Sequence, residues 1–273
     1  MNAIDPNRHP QLYQVEQGAQ WAGQDDFPAS EEWADEVEKW VVFAAAAGEL
    51  GRYFPRLRGP RQRRDETLVE LAAGYFLQFK CGFPVIGWEP PGVDGKLGEY
   101  LIKIGPTSTF VEVKSPGWED EIAKAEGQGS PRLQEPKYLR GEVLATAPWA
   151  SVRHAVKKAY PKLPDSMPTL LVICDDLRVP LNSWPVNVDI ALYCPRGGGA
   201  HPPDSYLAED GCFVNGQYEC LGAVGILNVE VPLGLGFQYR FSLFENTKAL
   251  PTVAIPAGAF AGHSRFNGSK PAK

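Results

Sequence analysis

Asp94, Glu112 and Lys114 are the residues whose types and spacing best suit chemistry in this chain. They lie in the segment GVDGKLGEYLIKIGPTSTFVEVKSPG. Side chains of an extended strand alternate between its two faces. Val111 and Val113 are therefore expected to enter a core, and Glu112 and Lys114 to face a cleft. A turn ahead of the preceding strand would bring Asp94 beside Glu112. Two carboxylates held together repel each other unless something positive neutralises them. Asp and Glu oxygens suit Mg²⁺, with Mn²⁺ as the alternative, and water completes the shell. Such an ion lowers the pKa of bound water and stabilises charge developing on a phosphoryl group. Lys114 would orient the attacking water or stabilise the transition state. The triplet E-x-K is short, and Glu135 and Lys137 form a second one. Charge alternation on a strand also marks an ordinary solvated sheet face.

The elements around the triplet give it context. Leu68, Leu71, Ala72, Tyr75, Phe76 and Phe79 recur at helical spacing and predict a helix over residues 64–80. Gly82 and Pro84 end it. Strands are expected at 85–88, 99–104 and 109–114, the second closed by Gly105 and Pro106. A helix is expected over 141–160, split by Pro148. Residues 169–174 read TLLVIC, a continuous apolar run that predicts a buried central strand. The order is helix, three strands, helix, strand. A mixed sheet with helices on its faces hides these apolar surfaces.

This segment resembles the PD-(D/E)xK nuclease superfamily, also called restriction-endonuclease-like, over about residues 64–176. The resemblance implies an α/β fold with a restriction-endonuclease-like mixed central sheet flanked by helices. It implies a metal-dependent nuclease, endonuclease or exonuclease, that hydrolyses phosphodiester bonds with Mg²⁺. DNA is preferred over RNA because most members act on DNA, and a homodimer is compatible with the family. By position, Asp94 matches the metal-binding aspartate, Glu112 the second acidic residue and Lys114 the catalytic lysine. The backbone carbonyl of Val113 joins the metal ligands. Many members add a helical glutamate, for which Glu70 is the first choice and Glu66 the second. The motif's proline is missing before Asp94: Val93 stands there, with Pro90 and Pro91 upstream.

Basic residues offer a nucleic-acid surface. Arg58, Arg61, Arg63 and Arg64 belong to a dense arginine run before the core, and arginine clamps phosphate bidentately. Arg153 and Lys157 share one helical face, as do His154 and Lys158. The competing expectation is that these charges pair with the protein's own acidic surface. Trp118, Trp149 and Trp184 are candidates for stacking on bases, or for packing.

Composition narrows the field. The 273 residues are 44% hydrophobic and 22% charged, as in a globular protein. A net charge of -6 disfavours unspecific binding to a polyanion. No basic region followed by an apolar run opens the chain, so no secretory signal is expected. The alanines at 44–47 are too few to span a membrane. Five cysteines without a CxxC pair fit a reduced, cytoplasmic interior. His9, His154, His201 and His263 show no metal-ligand spacing, and a nucleophile elbow and a P-loop are absent.

The expected organisation has four parts. Residues 1–63 form a loose arm, a helix from Ser30 and an arginine-rich loop, and 64–176 form the core. Residues 177–262 add a strand-rich extension, with strands at 187–193, 221–231 and 236–244. Residues 263–273 form a disordered tail, and 117–135 a mobile lid or short helix. Two other functions stay open from sequence: a non-catalytic binding or structural protein with a degenerate nuclease fold, and a hydrolase of another phosphorylated substrate.

Overall fold

The apolar run Thr169–Cys174 forms the middle strand of the sheet, and all six of its residues are buried. The computed structural model describes residues 4–22, 28, 30–115, 150–174, 185–194, 210–230 and 237–268. Seven strands follow in chain order: β1 (Val85–Trp88), β2 (Tyr100–Ile104), β3 (Thr107–Lys114), β4 (Thr169–Cys174), β5 (Ala223–Glu230), β6 (Gln238–Glu245) and β7 (Ser264–Phe266). β1, β2 and β3 make an antiparallel meander. β3, β4 and β5 run parallel, β6 returns antiparallel, and β7 lies parallel to β6. The protein is mixed α/β, with a mixed sheet flanked by helices.

Two core layers follow from strand alternation. Tyr100, Ile102, Val111, Val113, Leu170, Val172 and Leu243 point to one face. That face is covered by α1 (Pro10–Glu16), α2 (Glu31–Ala46), α3 (Leu50–Leu57) and α4 (Arg61–Tyr75). Phe110, Leu171, Ile173, Val224, Ile226 and Phe244 point to the other. There they meet α5 (Ala150–Ala159) and α6 (Pro185–Tyr193). The strands expected in the core and the C-terminal strands thus share one sheet.

Local chemistry explains the helix ends. Ser30 accepts a hydrogen bond from the Trp33 N–H at 3.3 Å, and Glu31 and Glu32 occupy the first turn of α2. Val37, Trp40, Val41 and Ala44 of that helix are fully buried. α4 is followed by a wider turn over Phe76–Lys80, and Gly82, at φ 71, takes the left-handed conformation beyond it.

Four expectations need correction. The N-terminal segment is a packed helix with an external cap. Glu38 accepts from the Gln11 and Leu12 N–H groups at 3.1 and 2.7 Å, and Leu12 and Val15 are buried. The arginine run is not a loop, because α3 forms despite Pro55: its exposed ring removes one donor, while Leu50, Tyr53 and Leu57 bury the opposite face. Residues 187–193 form helix rather than strand. Val188, Ala191 and Leu192 sit three and four apart and are all buried. The segment after His263 begins with β7, whose Phe266 stacks on Phe244 at 4.6 Å between ring centroids. The expected lid at 117–135, the first part of the helix at 141–160, and Trp118, Trp149 and Trp184 lie outside the described residues.

α4 crosses the meander at Gly74. A methyl group there would lie 2.6 Å from Tyr100 Cζ and 2.9 Å from Phe43 Cε1. Both rings are buried. An alanine in a helix interior ordinarily gains about 1 kcal/mol over glycine. Here overpacking reverses the sign, and Gly74→Ala is expected to cost about 1–3 kcal/mol. Urea unfolding would measure it as a lower midpoint with an unchanged slope.

Candidate active site

Register across the meander builds the site. β2 and β3 are joined at Ile104 and Thr107 by a two-residue turn, Gly105–Pro106. Gly105 has φ 57, and the ring of Pro106 holds its own φ negative. Counting back from that turn, Tyr100 pairs with Val111, and the Glu99 N–H donates to the Val111 carbonyl at 3.0 Å. Glu99 is therefore opposite Glu112, on the same side of the sheet. That side is the one facing α5, because Val111 and Val113 point to the other.

Glu112 is wholly buried, at 0% exposure. Its Oε1 accepts from two ammonium groups. One is Lys114 Nζ, two residues along the same strand. The other is Lys162 Nζ at 2.6 Å, from the turn Tyr160–Lys162 that continues α5. Lys114 also donates to the Val113 carbonyl at 3.2 Å. Glu112 Oε2 and Glu99 Oε2 are both buried and accept from no N–H group, and the two carboxyls hydrogen-bond each other through the proton on Glu99.

The electrostatics of the pair are unequal. Burial, reinforced by the adjacent Glu112 carboxylate, pushes the Glu99 carboxyl up to about 9, against the pull of Lys114 and Lys162. Burial acts to lower the Lys162 ammonium, but Glu99 and Glu112 more than offset it and leave it raised. At neutral pH Glu99 thus holds a proton, shared in a hydrogen bond with Glu112.

Asp94 lies outside the β2–β3 ladder, on a turn that packs against the turn carrying Lys162. It occupies the exposed turn Val93–Gly95, in the left-handed region at φ 55. Glu99, five residues later, takes the cross-strand position that the sequence reading gave to Asp94. Glu70 lies on α4, beyond the opposite face of the sheet, and receives Arg56 Nη1 at 2.7 Å in a bidentate pair. Its backbone carbonyl accepts the Tyr100 hydroxyl at 2.9 Å. Glu66 is exposed and accepts from Gln62 at 3.3 Å. Both glutamates thus bond within the helical layer, to Arg56 and Gln62.

Several of the arginines are structural. Arg64 is 1% exposed, lies 5.1 Å from the Trp21 ring centroid and pairs with Asp65 at 2.8 Å. Arg153 is buried, and its Nε donates to the Ala191 carbonyl of α6 at 3.4 Å. These two positions give a phosphate no approach, which corrects the expectation for them. Arg58 caps α1 by donating to the Gln14 carbonyl at 2.6 Å and the Val15 carbonyl at 3.3 Å. Arg61 lies 3.6 Å from Asp65. Arg63, Lys157 and Lys158 are exposed, the two lysines in the last turn of α5.

Sequence reasoning missed Glu99 and Lys162. The turn Gly105–Pro106 carried the signal for Glu99, since its two-residue length sets the register. No spacing announced Lys162, which arrives from a separate turn. Comparison of the chain with protein-family models, curated proteins and solved structures finds no match.

Proposed function

We propose that the protein is a metal-dependent nuclease that hydrolyses phosphodiester bonds, with DNA as the preferred substrate. The observation that carries this reading is the cross-strand pair of carboxyls, a partly buried Glu99 and a wholly buried Glu112, with two lysines on Glu112. The order helix, three-stranded meander, helix, strand over residues 61–174 supports it, as does the resemblance of the Glu112-Val113-Lys114 triplet to the PD-(D/E)xK superfamily. The preference for DNA rests on that resemblance.

The donor set fits a divalent cation. Two buried carboxylate oxygens face each other with no N–H donor between them, and carboxylates with a backbone carbonyl are the ligands that Mg²⁺ and Mn²⁺ favour. Glu99 and Glu112 would hold the ion, joined by the Val113 carbonyl. The ion supplies Lewis acidity and a bound water of lowered pKa. Lys114 supplies positive charge beside the reacting phosphoryl group, where charge grows in the transition state. Burial of the pair strengthens each of these interactions relative to water.

Cleavage of linear, circular and single-stranded DNA and of RNA, each with Mg²⁺, Mn²⁺ or EDTA, tests this proposal. The wild-type protein is expected to cut DNA with metal and to be silent in EDTA. Lys114→Ala and Glu112→Gln should each lose about 100-fold or more in rate. Activity equal to wild type in both variants, or cleavage that survives EDTA, would overturn the reading.

A further inference from the structure

We infer that Lys162 is a second functional lysine of this centre, released from Glu112 when a divalent cation binds and then holding an oxygen of the substrate's phosphate group. The inference rests on the nuclease reading and extends it to a residue outside the E-x-K triplet.

The geometry is the first support. Lys162 Nζ lies 2.6 Å from Glu112 Oε1, the oxygen that Lys114 also contacts. One oxygen thus serves two ammonium groups, while Glu112 Oε2 and Glu99 Oε2 receive no N–H donor. If only charge balance for Glu112 were needed, Lys114 alone would provide it.

The backbone is the second support. The turn Tyr160–Lys162 is closed by a Leu163 N–H to Tyr160 carbonyl bond of 3.1 Å, and Leu163 is buried. On its other side, the Lys162 carbonyl packs so closely on Gly92 that a Cβ there would collide with it. Gly92 belongs to the hairpin in which Pro91 pairs with Leu97 and which leads into Glu99. The base of the Lys162 side chain is therefore fixed against the same segment that delivers Glu99.

Charge supplies the third support. With the proton on Glu99, the set of two carboxyls and two ammonium groups carries one net positive charge. A dication that displaced that proton would leave a net charge of two plus in a largely buried site, which favours an anion. The carboxylate oxygens that turn toward the ion cease to satisfy both lysines. Lys114 and Lys162 then present N–H donors to the anion that arrives, and ammonium groups bind phosphate as point charges.

Equilibrium dialysis with Mn²⁺ and radiolabelled inorganic phosphate tests this without any cleavage step. Wild type, Lys162→Met, Lys162→Gln and Lys162→Arg are compared. Mn²⁺ affinity is expected to equal or exceed that of wild type in Lys162→Met and Lys162→Gln, where no ammonium at position 162 competes for Glu112, and to stay near wild type in Lys162→Arg. Phosphate affinity of the Mn²⁺-loaded protein should fall about tenfold or more in Lys162→Met and Lys162→Gln, the loss of one charged hydrogen bond, and recover in part in Lys162→Arg. Phosphate affinity unchanged in Lys162→Met and Lys162→Gln would overturn the inference. So would a parallel loss of Mn²⁺ and phosphate binding in all three variants, which marks a purely structural counter-ion. Failure of the nuclease reading shows in the cleavage panel, which is a separate readout.

Discussion

Glu99→Gln is expected to abolish cleavage and, in the absence of metal, to make the protein more stable at alkaline pH. The two effects share one cause. Folding buries the Glu99 carboxyl beside Glu112, which raises it from 4.5 to about 9. The folded state therefore binds this proton more tightly than the unfolded state does. Its contribution to stability is fully present below the unfolded value and is lost as pH rises through the interval up to about 9. Wild-type protein in EDTA should melt at progressively lower temperature from acid to alkaline pH across that window. Glutamine has nothing to titrate and can donate to Glu112, so the variant's melting curve should be flatter. Mg²⁺ should restore the wild-type melting temperature most at alkaline pH, where the carboxylate is already bare, and should have little effect on the variant. Glu112→Gln should behave in the opposite way. It leaves Lys114 and Lys162, 21% and 25% exposed, without the carboxylate they share. Removing one partner of a buried ion pair costs about 3 kcal/mol or more. A Glu99→Gln protein whose metal-free melting temperature falls with pH as steeply as wild type would contradict this account of the pair.

Trp40→Ala carries the largest expected loss of stability. Trp40 is fully buried on α2, with Trp33 and Phe237 at ring distances of 6.3 and 6.0 Å. Its Nε1 donates to the Tyr239 hydroxyl at 2.6 Å, and that hydroxyl donates to Glu36 Oε1 at 2.6 Å. Lys39 Nζ completes the chain on Glu36 Oε2 at 2.6 Å. Burial, with the Glu36 carboxylate beside it, holds the Tyr239 phenol far above its ordinary range, so it stays protonated and donating. This chain ties α2 to β6 across most of the sequence. Truncation to alanine should cost about 3–5 kcal/mol through the lost ring and the cavity, a large share of the roughly 5–15 kcal/mol that holds a domain together. Trp40→Phe keeps most of the apolar volume and removes the donor, which should cost about 1 kcal/mol. Urea unfolding midpoints would rank wild type above Trp40→Phe and Trp40→Phe well above Trp40→Ala. Equal midpoints for Phe and Ala would show that the hydrogen bond, and not the packing, dominates.

The parts of the fold that were legible in sequence are those with strong periodicity. TLLVIC was readable as a buried strand because nothing polar interrupts it, and the valines of β3 declared the face that the helices cover. Ser30 announced α2 because its side chain caps a real helix end. The failures have equally local causes. Pro55, Gly59 and Pro60 looked like loop signals, yet Leu50, Tyr53 and Leu57 bury enough surface to hold α3. Val188, Ile190 and Tyr193 suggested a strand by residue type, while the burial of Val188, Ala191 and Leu192 follows a helix. In the site, Glu112 and Lys114 were legible from their triplet, although Glu112 is buried rather than open to a cleft. Glu99 was hidden by its place just ahead of β2, where the choice between it and Asp94 depended on a turn length. Lys162 depends on how α5 docks on the sheet, which no local pattern encodes.

Parallel cleavage of DNA with Mg²⁺ by wild type, Glu99→Gln and Asp94→Asn tests the central claim most directly. Both substitutions remove one negative charge and change little volume, so they separate the buried cross-strand carboxyl from the exposed turn. The account predicts that Asp94→Asn stays within a few-fold of wild type while Glu99→Gln loses about 100-fold or more. Wild-type activity in Glu99→Gln, with loss in Asp94→Asn, would contradict it.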